Sequence, residues 1–298
     1  KILKELHFPN SVGLLYSAFT FYLGFKVNSG EYKLMGLAPY GNENSIETKK
    51  FIKKIKENLV DIKQDGSIFL NQSYFNYTFG LKMINDKKFE DLFGLSRRNP
   101  NDEITQTHCN LALAIQRVTE DIIIKIAYEA KRLTNSENLC LAGGVALNCV
   151  ANGKIEEKEI FKNIYIQPAA GDAGGSLGAA LAIYHMFYEK SRTINEYYDK
   201  MQGAYLGPFF SEKEIMIMNK KFKANYSRYD SMSDLTERTA KLIAEGNVIG
   251  WFQGKSEFGP RALGNRSILA DPRDEEMQKK LNLKIKYREG FRPFAPSV

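Results

Sequence analysis

Cysteine and histidine are scarce in this chain: three of each occur among 298 residues, beside a single tryptophan. Cys109, Cys140 and Cys149 form no CxxC pair and are odd in number, which argues against a disulfide framework or a thioredoxin-like redox pair. All three lie in apolar helix or strand patterns, so buried reduced thiols and a cytoplasmic setting are expected. His7, His108 and His185 have no second His or Cys at ligand spacing, so local sequence alone builds no metal site. No apolar run reaches the roughly 18 residues that a membrane-spanning helix needs. Neither GxxxxGK[ST] nor GxGxxG occurs, which removes the P-loop and the dinucleotide fingerprint. No secretory signal opens the chain, and it does not start with Met. It stops within FRPFAPSV, which reads as an ordered motif, so a piece of a longer protein is expected.

What is present is ordinary globular composition, 43% hydrophobic and 26% charged, in a length that suits one large or two medium domains. The net charge of +7 comes from lysines spread along amphipathic segments such as ETKKFIKKIKENL (47–59). Those lysines read as the solvated face of a helix rather than as a polyanion-binding surface.

Asn10 or Ser11 can cap a helix through VGLLYSAFTFYLGF, and a short helix in SGEYKLMGLAPYG is stopped by Pro39 and Gly41. IKQDGSIFLN reads as a hairpin turned at Asp65-Gly66. Residues 71–102 are aromatic and irregular, and are expected to form part of a pocket wall. Leu111, Ile115, Val118, Ile122, Ile126 and Leu133 mark one stripe of a long helix. NLCLA and NIYIQ are then two buried strands, each followed by a glycine turn and a helix, which predicts an α/β sheet. The pattern loosens over 194–210, and a domain boundary is placed at Gly203, giving domains 1–202 and 203–298. Beyond it come a helix in FSEKEIMIMNKKF, another in DLTERTAKLIAEGN capped at Ser233, and a buried strand VIGWFQG.

The chemistry is expected at the turns. In LAGGVALN, Gly143-Gly144 let a ligand lie against the backbone at the head of a helix. Asn148, one turn into that helix, offers a donor and an acceptor to a purine edge or ribose. A tight strand–helix turn without any ligand is the alternative. In AAGDAGGSLGAAL, Asp172 is the one Asp, Glu, Lys or Arg between Lys162 and Glu189. It can cap its helix, or it can hold a hard cation or metal–phosphate unit. FGPRALGNRSILADPR (258–273) offers three guanidiniums from a backbone stiffened by Gly and Pro. Arg261 and Arg266 are read as bidentate anion ligands. Arg273 is either a third ligand or the partner of Asp271 or Asp274.

KLMGLAPYG (33–41), NLCLAGGVALNCVANGKI (138–155), PAAGDAGGSLGAAL (168–181) and FGPRALGNRSILADPR together resemble the NodU/CmcH-type O-carbamoyltransferases, in order and rough spacing. The resemblance implies an ASKHA-like (actin/hexokinase-type) carbamoyltransferase domain followed by the start of a YrdC-like α/β domain. The YrdC-like part would form carbamoyl-adenylate from ATP and carbamoyl phosphate, with Mg. The ASKHA-like part would pass the carbamoyl group to a hydroxyl of a small-molecule or glycan acceptor, beside a metal usually taken to be iron. It implies adenosine contacts at Gly143, Gly144 and Asn148 and a phosphate turn at Gly174-Gly175. Asp172 would be a metal ligand, and Glu31 and Lys33 would lie near ribose and phosphates. Lys255, Arg261, Arg266 and Ser267 would belong to the adenylate-forming site. The family's HxxxH metal motif is absent here and is expected upstream; His7 reads as a surface residue. A homodimer is a further expectation. Two rival readings remain: an ASKHA-type sugar or acid kinase or ATPase, which leaves the arginine stretch unexplained, and a tRNA-modifying or RNA-binding protein, against which arginines and aromatics are not interleaved for stacking.

Overall fold

The computed structural model describes residues 2–195, 197 and 199–295; Glu196 and Tyr198, in the loosened stretch, and the end of FRPFAPSV lie outside them. The chain divides into two compact units, Lys1–Ile166 and Gln167–Val298. The fold is mixed α/β.

In the first unit, α1 (Val12–Tyr22) starts where the Ser11 hydroxyl accepts the Leu14 N–H at 3.2 Å. The short α2 (Glu31–Leu37) runs into a 3-10 turn that contains Pro39. α3 (Ile46–Lys54), capped by Ser45, ends in one wide turn over Ile55–Leu59. The expected hairpin forms between β1 (Val60–Ile62) and β2 (Ile68–Leu70), in antiparallel register with Asp61 opposite Phe69. α4 (Asp86–Phe93) follows, then α5 (Gln106–Thr134), the expected long helix. β3 (Asn138–Leu141), α6 (Cys149–Glu157) and β4 (Asn163–Ile166) complete the unit, with β3 and β4 parallel and Leu141 opposite Ile166.

The core differs from the sequence pattern in three ways. First, the irregular 71–102 region supplies core residues. Phe75, Ile84 and Phe89 are fully buried; Phe89 packs edge-on against Phe19 and Tyr22, and Phe93 packs edge-on against Phe19 and at a tilt against Tyr22. Its tip carries two large apolar side chains, Phe79 and Leu81, that are exposed. Second, the α5 stripe holds through Ile122, but Ile126 and Leu133 are exposed, because the second half of α5 is covered on one side only. There Ala127 packs with Ile155, Ile160 and Phe161, against Leu139, Leu141 and Ile164 of the strands. Third, the two-stranded sheet is not fully buried. Cys140 and Tyr165 alternate to the face away from that cluster and are exposed. Of the three thiols only Cys109 is buried; Cys149 is exposed at the first residue of α6, its sulfur 4.0 Å from that of Met35.

α5 begins with a reciprocal cap in which His108 Nδ1 accepts the Thr105 N–H at 3.0 Å. That nitrogen must stay unprotonated to accept. Burial, followed by the Arg98 charge, lowers the His108 pKa below its ordinary 6.5. A His whose folded pKa is depressed binds its proton more readily when unfolded, so stability is lost as pH falls through its ordinary value. Thermal unfolding is expected to drop more steeply between about pH 7 and 5 in the wild type than in His108→Gln, which keeps an acceptor without titrating. Parallel pH profiles would show that His108 is not the group responsible.

The second unit contains α7 (Ala173–Ala182), α8 (Glu212–Phe222), α9 (Met232–Ala244), β5 (Ile249–Phe252), β6 (Arg266–Leu269) and α10 (Met277–Lys280). α8 opens on a capping box between Ser211 and Glu214. α9 is capped by Ser231, whose hydroxyl accepts the Asp234 N–H at 3.1 Å; Ser233, the expected cap, already lies inside the first turn. β5 is not buried either: with β6 as its one ladder partner, Phe252 is 54% exposed. The antiparallel register sets Phe252 opposite Arg266 and Trp251 opposite Ser267, and so fixes the base of the arginine loop.

Candidate functional site

The chain leaves β3 at Leu141 and turns at Gly143, whose φ of +95° suits glycine alone. A Cβ at Gly143 or Gly144 would meet open space, so the backbone here is bare. A helix does not follow directly. Gly144–Leu147 form a 3-10 turn, and α6 starts only at Cys149. Asn148 is therefore the N-cap of α6, not a residue one turn into it, and its oxygen accepts the Ala151 N–H at 3.1 Å. The side chain is buried and exchanges two hydrogen bonds with Gln116, at 3.1 and 3.2 Å. Tyr16 donates to the same Gln116 at 2.8 Å, and Gln116 donates to Glu120 at 3.0 Å. Burial drives the Tyr16 phenol well above its ordinary range, and the Glu120 and Glu31 carboxylates add to this. Asn148 thus ties the glycine turn to α1 and α5.

Glu31 and Lys33 occupy the first turn of α2, which comes near the same turn through the Met35–Cys149 contact. The Glu31 carboxylate accepts from the Ser17 hydroxyl at 2.7 Å and from the backbone of Asn28 and Gly30. Lys33 lies over the Phe25 ring, 6.0 Å from its centroid.

In the second unit, Asp172 stands at the head of α7 but makes no capping hydrogen bond, and it is exposed. The structural use that a carboxylate could have there is not taken up. Gly174 is required by packing, since a Cβ would lie 2.2 Å from the Ala169 carbonyl oxygen; Gly175 borders open space. The residues present do not assemble a metal centre: no group of three or more His, Cys, Asp or Glu at ligand distance exists among the described residues. Asp172 can supply a single carboxylate.

The residues expected at the adenylate-forming site, and Arg273 beside them, are found in unlike states. Arg266 is a strut. Its guanidinium lies 3.4 Å over the Phe252 ring and donates to the carbonyls of Gln253, Asn265, Gly254 and Pro208 at 2.7–3.5 Å. Arg273 chelates Asp271 through Nε and Nη2, and this pairing holds the Asp271 carboxyl down to about 2. Lys255 is exposed, with its ammonium 3.3 Å from the Gln202 side-chain oxygen, and Ser267 is half-buried on β6. Arg261, at the tip, is exposed and forms no hydrogen bond or ion pair among the described residues. Sequence reasoning missed Phe252 and Glu257, which hold this loop, and Gln116, which holds the first turn. Of these only Gln116, a polar residue in an apolar helix stripe, left a signal that could have been read.

Residues 1–181 match the family model described as carbamoyltransferase N-terminus, and residues 240–298 match the one described as carbamoyltransferase C-terminus. The chain belongs to the carbamoyltransferase family. These are transferases, of the NodU/CmcH type that the four motifs resemble. An uncharacterized Synechocystis protein is 55% identical over 296 residues, which are 99% of this chain and 47% of the relative. The nodulation protein NolO of Bradyrhizobium diazoefficiens is 35% identical, across 100% of this chain and 50% of its own length. The 3'-hydroxymethylcephem-O-carbamoyltransferase of Streptomyces clavuligerus is 30% identical over 66% of this chain and 34% of its own length. The chain therefore spans about half the length, or less, of these curated relatives. No helix among the described residues is long and apolar enough to cross a membrane.

Proposed function

We propose that this carbamoyltransferase chain contributes to O-carbamoylation in two steps. The 203–298 portion, YrdC-like in this reading, belongs to the site that forms carbamoyl-adenylate from ATP, with Mg, and carbamoyl phosphate. The 1–202 portion, ASKHA-like, holds the adenosine at Gly143 and Gly144 and serves transfer to an acceptor hydroxyl. A hydroxyl acceptor is favoured by the cephem O-carbamoyltransferase relative. The observation that carries the reading is the division of labour among the arginines: Arg266 and Arg273 are spent on the fold, while Arg261 is presented without a partner among the described residues.

In adenylate formation water first cleaves carbamoyl phosphate, releasing inorganic phosphate and carbamate; a carbamate oxygen then attacks the α-phosphorus of ATP, a P–O bond forms, and the bond to pyrophosphate breaks. Arg261 would pair with phosphate oxygens through its planar fork, each charge-assisted bond contributing about 1.5–3 kcal/mol. Lys255 adds a positive charge nearby on the same loop. In the transfer step the acceptor oxygen bonds to the carbamoyl carbon as AMP leaves. The bare backbone of the first glycine turn suits close approach of the nucleotide, with Asn148 setting the turn's shape from beneath. Asp172 is proposed as one ligand of the metal that the family resemblance implies. No group of three or more His, Cys, Asp or Glu that would complete the ligand set is assembled among the described residues.

Gly144→Val tests the nucleotide turn more cleanly than a change at Gly143, where φ of +95° would strain any side chain. With open space around Gly144, the variant should fold as the wild type and lose about 10-fold or more in ATP or adenylate affinity by calorimetry. Unchanged affinity would make the turn structural only.

A further inference from the structure

Arg261 lies in a loop that closes on its own first residue. One oxygen of Glu257, Oε1, accepts three backbone N–H groups from the far end: Leu263 at 2.8 Å, Asn265 at 2.9 Å and Arg266 at 3.2 Å. Burial acts to raise the Glu257 carboxyl pKa, yet these donors outweigh it and hold the group below its usual range. The loop is also pinned from outside. Asn265 donates to the Lys255 carbonyl at 2.7 Å, Phe258 N–H to the Ala204 carbonyl at 2.7 Å, and the Tyr205 hydroxyl to the Leu263 carbonyl at 2.6 Å. Between these anchors stands Arg261. A carboxylate so near a site for anions should oppose them by charge. Its three hydrogen bonds to the far end of the loop give it a different role.

We propose that Glu257 is a positioning residue, whose carboxylate gathers the N–H groups of Leu263, Asn265 and Arg266 and so presents the Arg261 guanidinium to a phosphate group from a fixed turn. This rests on the reading of Arg261 as a phosphate ligand given above. A merely electrostatic role and a positioning role then predict opposite signs. Removing a negative charge should tighten anion binding; removing an anchor should weaken it.

The test is calorimetric titration of the chain with inorganic pyrophosphate, beside amide hydrogen exchange over residues 263–266. Glu257→Ala should bind pyrophosphate about 10-fold more weakly despite the lost negative charge, with faster exchange at 263–266. Glu257→Gln, which keeps a carbonyl oxygen in place, should recover most of the affinity. Glu257→Ala combined with Arg261→Ala should be no weaker than Arg261→Ala alone, because the carboxylate acts through that arginine. If Glu257→Ala does not fold, Glu257→Asp, which withdraws the oxygen by one methylene, should show the same weakening to a smaller degree. Unchanged or tighter binding in Glu257→Ala or Glu257→Asp, with Arg261→Ala still impaired, overturns the role of Glu257 alone. Wild-type chain that ignores pyrophosphate, or Arg261→Ala that binds as well as wild type, removes the phosphate reading of the loop and this proposal with it.

Discussion

Arg261→Ala is expected to slow carbamoyl-phosphate-dependent pyrophosphate release by roughly 30- to 900-fold, the equivalent of about 2–4 kcal/mol of transition-state stabilisation. Because the relatives are about twice as long as this chain or longer, the assay uses the full-length protein. The variant should fold normally, since the side chain is exposed and touches no partner among the described residues. Lysine at 261 should restore activity only in part, because a point charge lacks the planar fork. Transfer from supplied carbamoyl-adenylate should be nearly untouched. Arg266→Ala should behave differently. It removes the stack on Phe252 and takes the guanidinium donor from the carbonyls of Gln253 and Gly254, while that of Asn265 keeps only the Gln253 N–H, so adenylation should fall together with the melting temperature. If Arg261→Ala destabilises as much as Arg266→Ala, the contrast drawn between the two arginines is wrong.

The second large effect is expected at Asp172→Asn. The substitution is nearly isosteric, at an exposed residue whose side chain makes no cap hydrogen bond, so stability should change by less than about 0.5 kcal/mol. Transfer from supplied carbamoyl-adenylate should nonetheless fall by at least about 100-fold, and metal retained by the full-length protein, measured by elemental analysis, should fall with it. Pyrophosphate release should persist, because the proposed function gives that step to the 203–298 portion. Full transfer in Asp172→Asn would remove the residue from the site. Full metal content would remove it from the ligand set.

What could be read from sequence was what local chemistry encodes. The parallel β3–β4 pair followed from two apolar runs that each end in a glycine turn, and α5 followed from its helical stripe. What could not be read depended on partners distant in sequence. Arg266 meets Phe252 because the β5–β6 register sets them opposite, 14 residues apart, and no spacing rule announces that register. Glu257 lies one residue before the arginine stretch, yet its partners are backbone N–H groups, which carry no sequence signature. Asn148 moved from helix to N-cap because Gly144–Leu147 wind as a 3-10 turn, and a GGVAL run does not distinguish that from the first turn of an α-helix. The exposed face of β3, with Cys140, shows the limit of hydrophobicity as a guide: NLCL is apolar enough for a buried strand, but in this chain only one face of it meets the α5–α6 cluster.

In the proposed function this chain belongs to a machine that activates carbamoyl phosphate by adenylation. Incubating the full-length protein with ATP labelled in the α-phosphate, with and without carbamoyl phosphate, and separating the nucleotides tests it most directly. The account predicts AMP, either free or as carbamoyl-adenylate, together with pyrophosphate, formed only when carbamoyl phosphate is present. ADP formed without that dependence would contradict it and favour a kinase or ATPase built on the same glycine turns.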